Sequence, residues 1–100
     1  MLVKFRKKKL EKCYLEAKEA SKAFGAEVAR KYIQRINLIK QARNIDELTA
    51  LPGLRCHPLK GERKGQYAVN LNGFYRLIFT LNGEALEIVL IEEVSKHYGD

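Results

Sequence analysis

The sequence contains few of the residues that hold small proteins together through metals or covalent cross-links. It has two cysteines and two histidines in 100 residues, and their spacing matches neither a metal site nor a disulfide framework. We therefore expect reduced thiols, no bound metal and no cofactor. No apolar run approaches the length of a membrane span, and the N-terminus does not resemble a signal peptide. These absences predict a cytoplasmic protein that has no membrane partner.

Linkers, internal repeats and low-complexity tracts are also absent from the sequence. One hundred residues are enough for one hydrophobic core, so we expect a single domain over residues 1–100. No Ser–His–Asp pattern or glycine-rich phosphate loop is present, which argues against those two kinds of site.

The chain is strongly basic, with a formal net charge of +7. Its composition, 46% hydrophobic and 31% charged, is otherwise that of an ordinary globular protein. A positive field of this size favours polyanions, so we expect the partner to be a nucleic acid or an acidic protein.

The first half of the chain is predicted to be helical after a short strand at residues 2–5. Apolar residues from 8 to 24 recur at spacings of three and four, which indicates one helix that ends at Gly25. A second helix is predicted over residues 26–42, and a short third helix begins with Asp46 as its N-cap. The first two helices form a helical hairpin that needs a surface to pack on.

The last third of the chain is predicted to form β-strands. Asn72-Gly73 and Asn82-Gly83 are typical of two-residue type I′ hairpin turns, which need positive φ at both positions. If both turns have two residues, the register places Val69 opposite Arg76 and Ile78 opposite Glu87.

This register divides the sheet into an apolar face and a mixed face. Arg76 lies on the mixed face, with Glu87 diagonally across from it. The two side chains form either a structural ion pair or a cationic floor for a bound phosphate. We expect the helices to pack on the apolar face, which carries Ala68, Tyr75, Leu77, Phe79, Leu86, Ile88 and Leu90. The predicted fold is therefore α+β, with an N-terminal helical hairpin on one face of a small antiparallel β-sheet.

Cations are concentrated just before the first hairpin strand. Cleavage of RNA needs a base for the 2′-hydroxyl, an acid for the leaving 5′-oxygen and cations for the phosphorane charge. Histidine suits the proton transfers because its ordinary pKa lies near neutrality. His57 precedes the sheet and His97 follows it, so an antiparallel layout can bring both to one cleft. The segment from Leu54 to Gly65 also holds Arg55, Lys60, Arg63 and Lys64 against the single acid Glu62.

A second basic run, Arg6 to Lys9, lies near the N-terminus. It is either the solvated start of the first helix or a set of phosphate contacts through Arg6, Lys8 and Lys9.

Residues 51–80 resemble the HigB branch of the RelE/ParE superfamily of bacterial toxins, the plasmid maintenance killer proteins. The resemblance rests on Leu51-Pro52-Gly53, on the run His57-Pro58-Leu59-Lys60-Gly61, on Arg63-Lys64-Gly65-Gln66, and on Tyr75-Arg76-Leu77-Ile78-Phe79. It implies a compact α+β domain with the helices on one face of the sheet. It also implies a toxin that cleaves mRNA in the ribosomal A site by attack of the 2′-hydroxyl group. Family members are neutralised by a cognate antitoxin, typically a helix-turn-helix protein, and only through it do they contact operator DNA.

The resemblance implies roles for particular residues. The family's active-site histidine, lysine and strand arginine fall on His57, Lys60 and Arg76. Many members end in Glu-Ile-Val-Asp-Tyr-His; the preferred counterpart here is residues 92–97, so His97 takes the place of the terminal histidine. Ser95 and Lys96 then replace the Asp and Tyr, and Tyr98 is a candidate for the lost aromatic side chain. A rival alignment starts at Glu87-Ile88-Val89 and places Leu90-Ile91-Glu92 in the site.

Two other functions remain open at this stage. One is a ParE-like toxin that binds DNA gyrase without catalysis, although ParE-like chains lack the His-Pro-Leu-Lys run. The other is an inactive toxin fold that persists as the partner of a DNA-binding antitoxin, which the Ser95 and Lys96 replacements keep open.

Overall fold

Four α-helices and five strands account for most of residues 1–96, the part of the chain that this computed structural model describes. A single 3₁₀ turn lies between the second and third strands. In chain order the elements are β1 (Leu2–Phe5), α1 (Lys8–Leu15), α2 (Ala17–Phe24), α3 (Ala26–Gln41), α4 (Ile45–Ala50), β2 (His57–Pro58), the 3₁₀ turn (Gly61–Arg63), β3 (Gln66–Asn70), β4 (Tyr75–Asn82) and β5 (Ile88–Lys96).

The five strands form one sheet in the order β1-β5-β4-β3-β2. β1 runs parallel to β5, whereas the other three pairings are antiparallel. The α+β fold is therefore confirmed, but the sheet is mixed rather than purely antiparallel. β1 and β5 are neighbours in the sheet although all the helices and the other described strands lie between them in sequence.

The predicted first helix is two helices. Extended backbone at Glu16 (φ −128°, ψ 106°) separates α1 from α2 and changes the direction of the chain. Ala17, which the single-helix pattern would bury, is consequently exposed, and Leu15 beside the break is 70% exposed. Gly25 ends α2 as predicted, with a φ of +84° that side chains disfavour.

α3 supplies most of the helical contribution to the core. Tyr32 is fully buried, and its hydroxyl donates a hydrogen bond to the carbonyl of Leu10 at 2.7 Å, so α3 is tied to α1. The sequence spacing predicts a buried face made of Ala29, Tyr32, Ile33, Ile36 and Ile39, and this is confirmed for all but Ile33, which is only partly buried. The buried residues of α3 are Val28, Ala29, Tyr32, Ile36 and Ile39.

The N-cap of α4 is Asn44 and not Asp46. The Asn44 side-chain oxygen accepts a hydrogen bond from the amide of Glu47 at 3.1 Å, which satisfies one of the free amides of the first turn. Asp46 lies within the helix. Both residue types make good caps, so the pattern alone does not fix which one is used.

The predicted strand register is wrong, because neither hairpin has a two-residue turn. In the first hairpin the Asn72 side chain accepts hydrogen bonds from the amides of Phe74 and Tyr75, both at 2.8 Å, and so closes a wider loop. The second loop is wider still, since β4 ends at Asn82 and β5 begins at Ile88. The first change shifts β3 by one residue relative to β4, and the second shifts β5 by five residues up to Ile91 and by six from Glu93 onward. An odd shift turns the side chains of the partner strand to the other face, so β3 and residues 88–91 are reversed.

The observed register puts Val69, Leu77, Phe79, Val89 and Ile91 on the face that packs against the helices, called here the core face. The opposite side, the open face, carries Arg76, Ile78 and Thr80 of β4. Ala68, Ile88 and Leu90, predicted to meet the helices, lie on the open face instead. Glu87 lies in the second hairpin loop and accepts a hydrogen bond from the amide of Ala85 at 3.0 Å, so it is not the diagonal partner of Arg76.

An irregularity in β5 follows from the same pairing. Ile78 lies opposite Glu93 but Phe79 lies opposite Ile91, so Glu92 is an extra residue in a β-bulge. Consecutive strand residues normally point to opposite faces. The bulge instead allows Glu92 and Glu93 to contact side chains of the open face, namely Thr80 and Arg63.

Candidate functional site

The open face brings together residues from the beginning, middle and end of the β region. His57 on β2 lies opposite Ala68, which lies opposite Ile78, which lies opposite Glu93. In the neighbouring row, Arg76 lies opposite Ser95. β2 and β4 flank β3, so strand spacing sets the backbone of His57 about 10 Å from β4. His57 and Arg76 thus stand on either side of a space that long side chains and a nucleotide can bridge.

His57 is exposed and has a defined ring orientation. Its Nδ1 atom is 2.7 Å from the backbone carbonyl oxygen of Arg55. A carbonyl oxygen only accepts hydrogen bonds, so Nδ1 must carry the proton in this contact. In the neutral ring, Nε2 then has a free lone pair and is the nitrogen able to take a proton from a substrate.

The carbonyl that holds His57 comes from a strained position. Arg55 has a φ of +53°, a left-handed conformation that costs a residue with a side chain roughly 1–2 kcal/mol. Strain of this kind persists where the surroundings over-determine it and is frequent at functional sites. Cys56, between the two, is buried, and burial raises the pKa of its thiol to about 11, so it is a neutral anchor beneath the histidine.

Residues 59–66, called here the cationic loop, form a closed turn beside His57. The amide of Leu59 donates to the carbonyl of Gln66 at 2.8 Å, which joins the two ends of the loop. Gly61 and Gly65 have φ values of +66° and +97°, a conformation that favours glycine and allows the chain to turn here. The side chains of Lys60 and Lys64 are exposed on this loop.

Arg63 is the cation of this loop that reaches across the sheet. Its Nη1 atom lies 3.0 Å from Oε1 of Gln66 and 3.4 Å from Oε2 of Glu93. Arg63 is one of the cations that the sequence suggests for RNA binding, but neither of its partners could be recognised from the sequence. Nothing in the sequence marks Gln66 as a partner of Arg63. The position of Glu93 depends on a β-bulge that no sequence pattern predicts.

Arg76 is half-buried, and its Nε atom is buried. Next to it on the same face, Ile78 is completely buried. An apolar floor reduces the local dielectric and strengthens the interaction of nearby cations with a phosphate.

The C-terminal candidates are only partly described. Ser95 lies on the open face opposite Arg76, and Lys96 is exposed at the end of β5. Ile91, which the rival alignment would place in the site, is fully buried in the core. His97 and Tyr98 lie outside the described residues.

The N-terminal basic run is divided between two environments. Arg6 forms an ion pair with Glu92 through two guanidinium nitrogens, and Glu92 also accepts a hydrogen bond from Thr80 at 2.8 Å. The hydrogen bond from Arg6 is the main cause that lowers the pKa of Glu92 from its ordinary value. Lys8 and Lys9 are exposed on the first turn of α1.

The described residues contain neither a metal-binding cluster nor a membrane-spanning helix. Residues 1–96 contain no group of three histidine, cysteine or acidic side chains placed to hold a metal ion. Within the same part of the chain, no helix has the length and apolar character needed to cross a membrane. Both cysteines, Cys13 and Cys56, are free thiols buried in the core.

Comparison with known families identifies the class of protein to which this site belongs. A family model described as the RelE-like toxin of the type II toxin-antitoxin system HigB matches residues 3–92. The chain is therefore a RelE-like toxin of the type II toxin-antitoxin class. Within that class it belongs to the HigB-like toxins, and the family resemblance seen in the sequence is confirmed. The match ends before Ser95, so it does not include the C-terminal candidates.

Solved structures of related toxins share the fold. The YoeB/ParE toxin from Agrobacterium tumefaciens superimposes with a TM-score of 0.67 at 15% identity, covering 98% of this chain and 100% of that one. The YoeB of a YoeB-YefM complex from Staphylococcus aureus gives 0.62 at 19% identity, covering 98% and 99%. YafQ from E. coli gives 0.60 at 14% identity, covering 94% and 90%. No curated protein sequence matches the chain significantly.

Proposed function

We propose that this toxin is an endoribonuclease that cleaves mRNA on the ribosome and thereby inhibits translation. The observation that carries the proposal is the position of His57, whose Nε2 is left available on an open sheet face shared with Arg76 and Arg63. A proton-transfer group beside several cations is the arrangement that cleavage of an RNA phosphodiester requires.

In this mechanism His57 is the general base. Nε2 removes the proton from the 2′-hydroxyl group, whose oxygen attacks the adjacent phosphorus. The P–O5′ bond breaks, and the products are a cyclic phosphate and a 5′-hydroxyl group. Lys60 and Arg76 stabilise the negative charge that develops on the phosphorane oxygens.

The group that protonates the leaving 5′-oxygen is assigned to His97, with Tyr98, Ser95 and Lys96 as supporting candidates. The place of Ser95 beside Arg76 favours the alignment that leads to His97, because β5 runs along the site and ends next to it. Contacts to RNA and the ribosome are assigned to Arg63 and to the exposed cations Arg55, Lys64, Lys8 and Lys9. Arg6 is assigned to the same group, and its side chain also forms an ion pair with Glu92.

The partner that neutralises the toxin is proposed to be a cognate antitoxin with a helix-turn-helix DNA-binding domain. Membership in a type II toxin-antitoxin family and the similarity to the YoeB of a YoeB-YefM complex support an antitoxin. A net charge of +7 favours an acidic binding surface on that partner. The toxin itself contacts operator DNA only through the antitoxin.

The test is a cleavage assay with purified protein, mapped by primer extension on one mRNA. The message is supplied free and then loaded on translating ribosomes, and His57→Ala and His97→Ala are assayed beside the wild type. We expect cuts only in the ribosome-bound message, with a loss of about a hundred- to ten-thousand-fold for either variant.

Each other outcome has a distinct meaning. Cuts retained by His97→Ala would show that another group protonates the leaving oxygen. Cleavage of free mRNA would refute the dependence on the ribosome. An absence of cuts from a folded wild-type protein would rule out the enzyme and leave a binding toxin or an inactive toxin fold.

A further inference from the structure

Arg63 bridges two strands that are not neighbours. Its partner Gln66 lies on β3 and its partner Glu93 on β5, and β4 runs between those strands. Gln66 is paired with Thr80, and Glu93 with Ile78. The guanidinium group must therefore lie above the stretch of β4 from Ile78 to Thr80, on the open face.

This position brings Arg63 next to Arg76. Arg76 and Ile78 are two residues apart on β4 and so point to the same face, about 7 Å from each other along the strand. Two cations at neighbouring positions on one sheet face repel each other unless an acid or a bound anion lies near them. Glu93 is such an acid, because it contacts Arg63 and lies diagonal to Arg76 in the register.

The β-bulge explains why Glu93, and not Glu92, contacts Arg63. It lets Glu92 and Glu93 both contact open-face side chains, but Glu92 is already bound by Arg6 and Thr80. Glu93 is left for Arg63, whose side chain remains 35% exposed. Only Nη1 of Arg63 is used in these two contacts, and a guanidinium group has five N–H donors.

We propose that Glu93 is a positioning residue that holds Arg63, and with it the cationic loop, over β4, so that Arg63 and Arg76 together bind the phosphate at the cleavage site. The proposal rests on the proposed nuclease function. Net charge alone gives the opposite expectation. An acid in an RNA-binding site repels the phosphates, so its removal should raise the rate of cleavage. Substitution of Glu93 therefore gives a result whose sign distinguishes the two ideas.

The experiment compares Glu93→Gln with Glu62→Gln. Glu62 lies in the same loop, is exposed, and makes no hydrogen bond or ion pair with the described part of the chain, so its variant removes the same charge without breaking a contact. We expect Glu93→Gln to lower kcat on ribosome-bound mRNA by about two- to fivefold, the range for one exposed ion pair. Glu62→Gln should leave kcat unchanged.

A double-mutant cycle tests whether Glu93 acts through Arg63. In an Arg63→Ala background, Glu93→Gln should produce no further loss, because the contact is already gone. A loss that persists in that background would mean that Glu93 acts on the substrate itself, and would overturn the positioning role. A kcat equal to or above the wild-type value in Glu93→Gln alone would overturn it as well.

Amide hydrogen exchange gives a readout that does not depend on cleavage. Loss of the Arg63–Glu93 contact should speed exchange at residues 61–66 in Glu93→Gln relative to Glu62→Gln. If the wild type does not cleave but this difference is seen, the nuclease function fails and the anchoring of the loop stands. Equal exchange in the two variants would refute the anchoring, whatever the activity.

Discussion

The two faces of the sheet are made by the same strands but differ in burial and in charge. On the core face, Leu77, Phe79 and Val89 are fully buried and belong to the hydrophobic core formed with the helices. On the open face, cations and acids alternate around a buried isoleucine, and Arg55 is held in a strained conformation. Arg76 and Leu77 are adjacent on β4 but lie on opposite faces, so their substitutions should have separable effects on cleavage and on stability.

The largest expected effect is on the core face. Leu77→Ala removes a fully buried side chain and leaves a cavity, so the free energy of unfolding should fall by about 2–5 kcal/mol. Urea denaturation followed by circular dichroism measures it. The remaining folded protein should cleave at the wild-type rate. A loss below 1 kcal/mol would mean that the core relaxes around the site and that the contrast between the faces is weaker than the burial indicates.

Arg76→Ala tests the neighbouring residue on the open face. We expect cleavage to slow by about a hundred- to a thousand-fold, because one pre-positioned charge donor is lost from the phosphate site. Single-turnover kinetics on ribosome-bound mRNA measures the rate, and the same denaturation experiment checks that the variant is folded. A rate within threefold of wild type would remove Arg76 from the site.

Tyr32→Phe deletes one hydroxyl group from the core. The carbonyl of Leu10 then loses a buried partner, which should cost about 1–3 kcal/mol of unfolding free energy with no change in cleavage. Tyr14→Phe is the matched control, because its hydroxyl group bonds to Asn37 at an exposed position. Equal losses of unfolding free energy in both variants would show that burial does not determine the cost of deleting the hydroxyl group.

The hydrogen bond between His57 and Arg55 should fix the tautomer of the neutral ring. A bond worth about 1 kcal/mol gives roughly a fivefold preference for the form protonated at Nδ1. Heteronuclear NMR of the imidazole nitrogens, with His97→Ala used for assignment, distinguishes the two forms. A ring protonated mainly at Nε2 would contradict the assignment of Nε2 as the base.

The smallest effect concerns the Arg6–Glu92 pair at the edge of the open face. Because the folded-state pKa of Glu92 is lowered, its contribution to stability is present above the ordinary glutamate pKa, about 4.3, and is lost as the pH falls through the lower folded value. The stability difference between wild type and Glu92→Gln should thus be constant near neutrality and shrink in acid. Glu84→Gln, an exposed control, should show no such trend. A difference that does not change with pH would contradict the pairing.

Much of the fold could be predicted because helical periodicity reports burial directly. The buried face of α3 was predicted from residue spacing, and the end of the preceding helix was predicted from Gly25. The register did not, since Asn-Gly is compatible with several turn lengths, and here Asn72 uses its side chain to close a longer loop. One wrong turn length was enough to exchange Ala68 for Val69 on the core face.

The site was accessible to sequence reasoning only in part. The roles of His57, Lys60 and Arg76 came mainly from a resemblance that is closest over residues 51–80, and they remain predictions. The contacts of Arg63 with Gln66 and Glu93 depend on the pairing of three strands and on a bulge. Those features arise from tertiary packing, so no local pattern contained them.

The parallel pairing of β1 with β5 has a consequence for how the molecule is made. Leu2 is paired with Ile88, so β1 cannot pair with β5 until the residues up to Ile88 and beyond have been synthesised. Contacts this distant in sequence slow folding, since a long loop must close before they form. A chain interrupted before Ile88 would lack β5 and, with it, Glu92, Glu93 and Ser95. The open face therefore forms only after β5 has been synthesised.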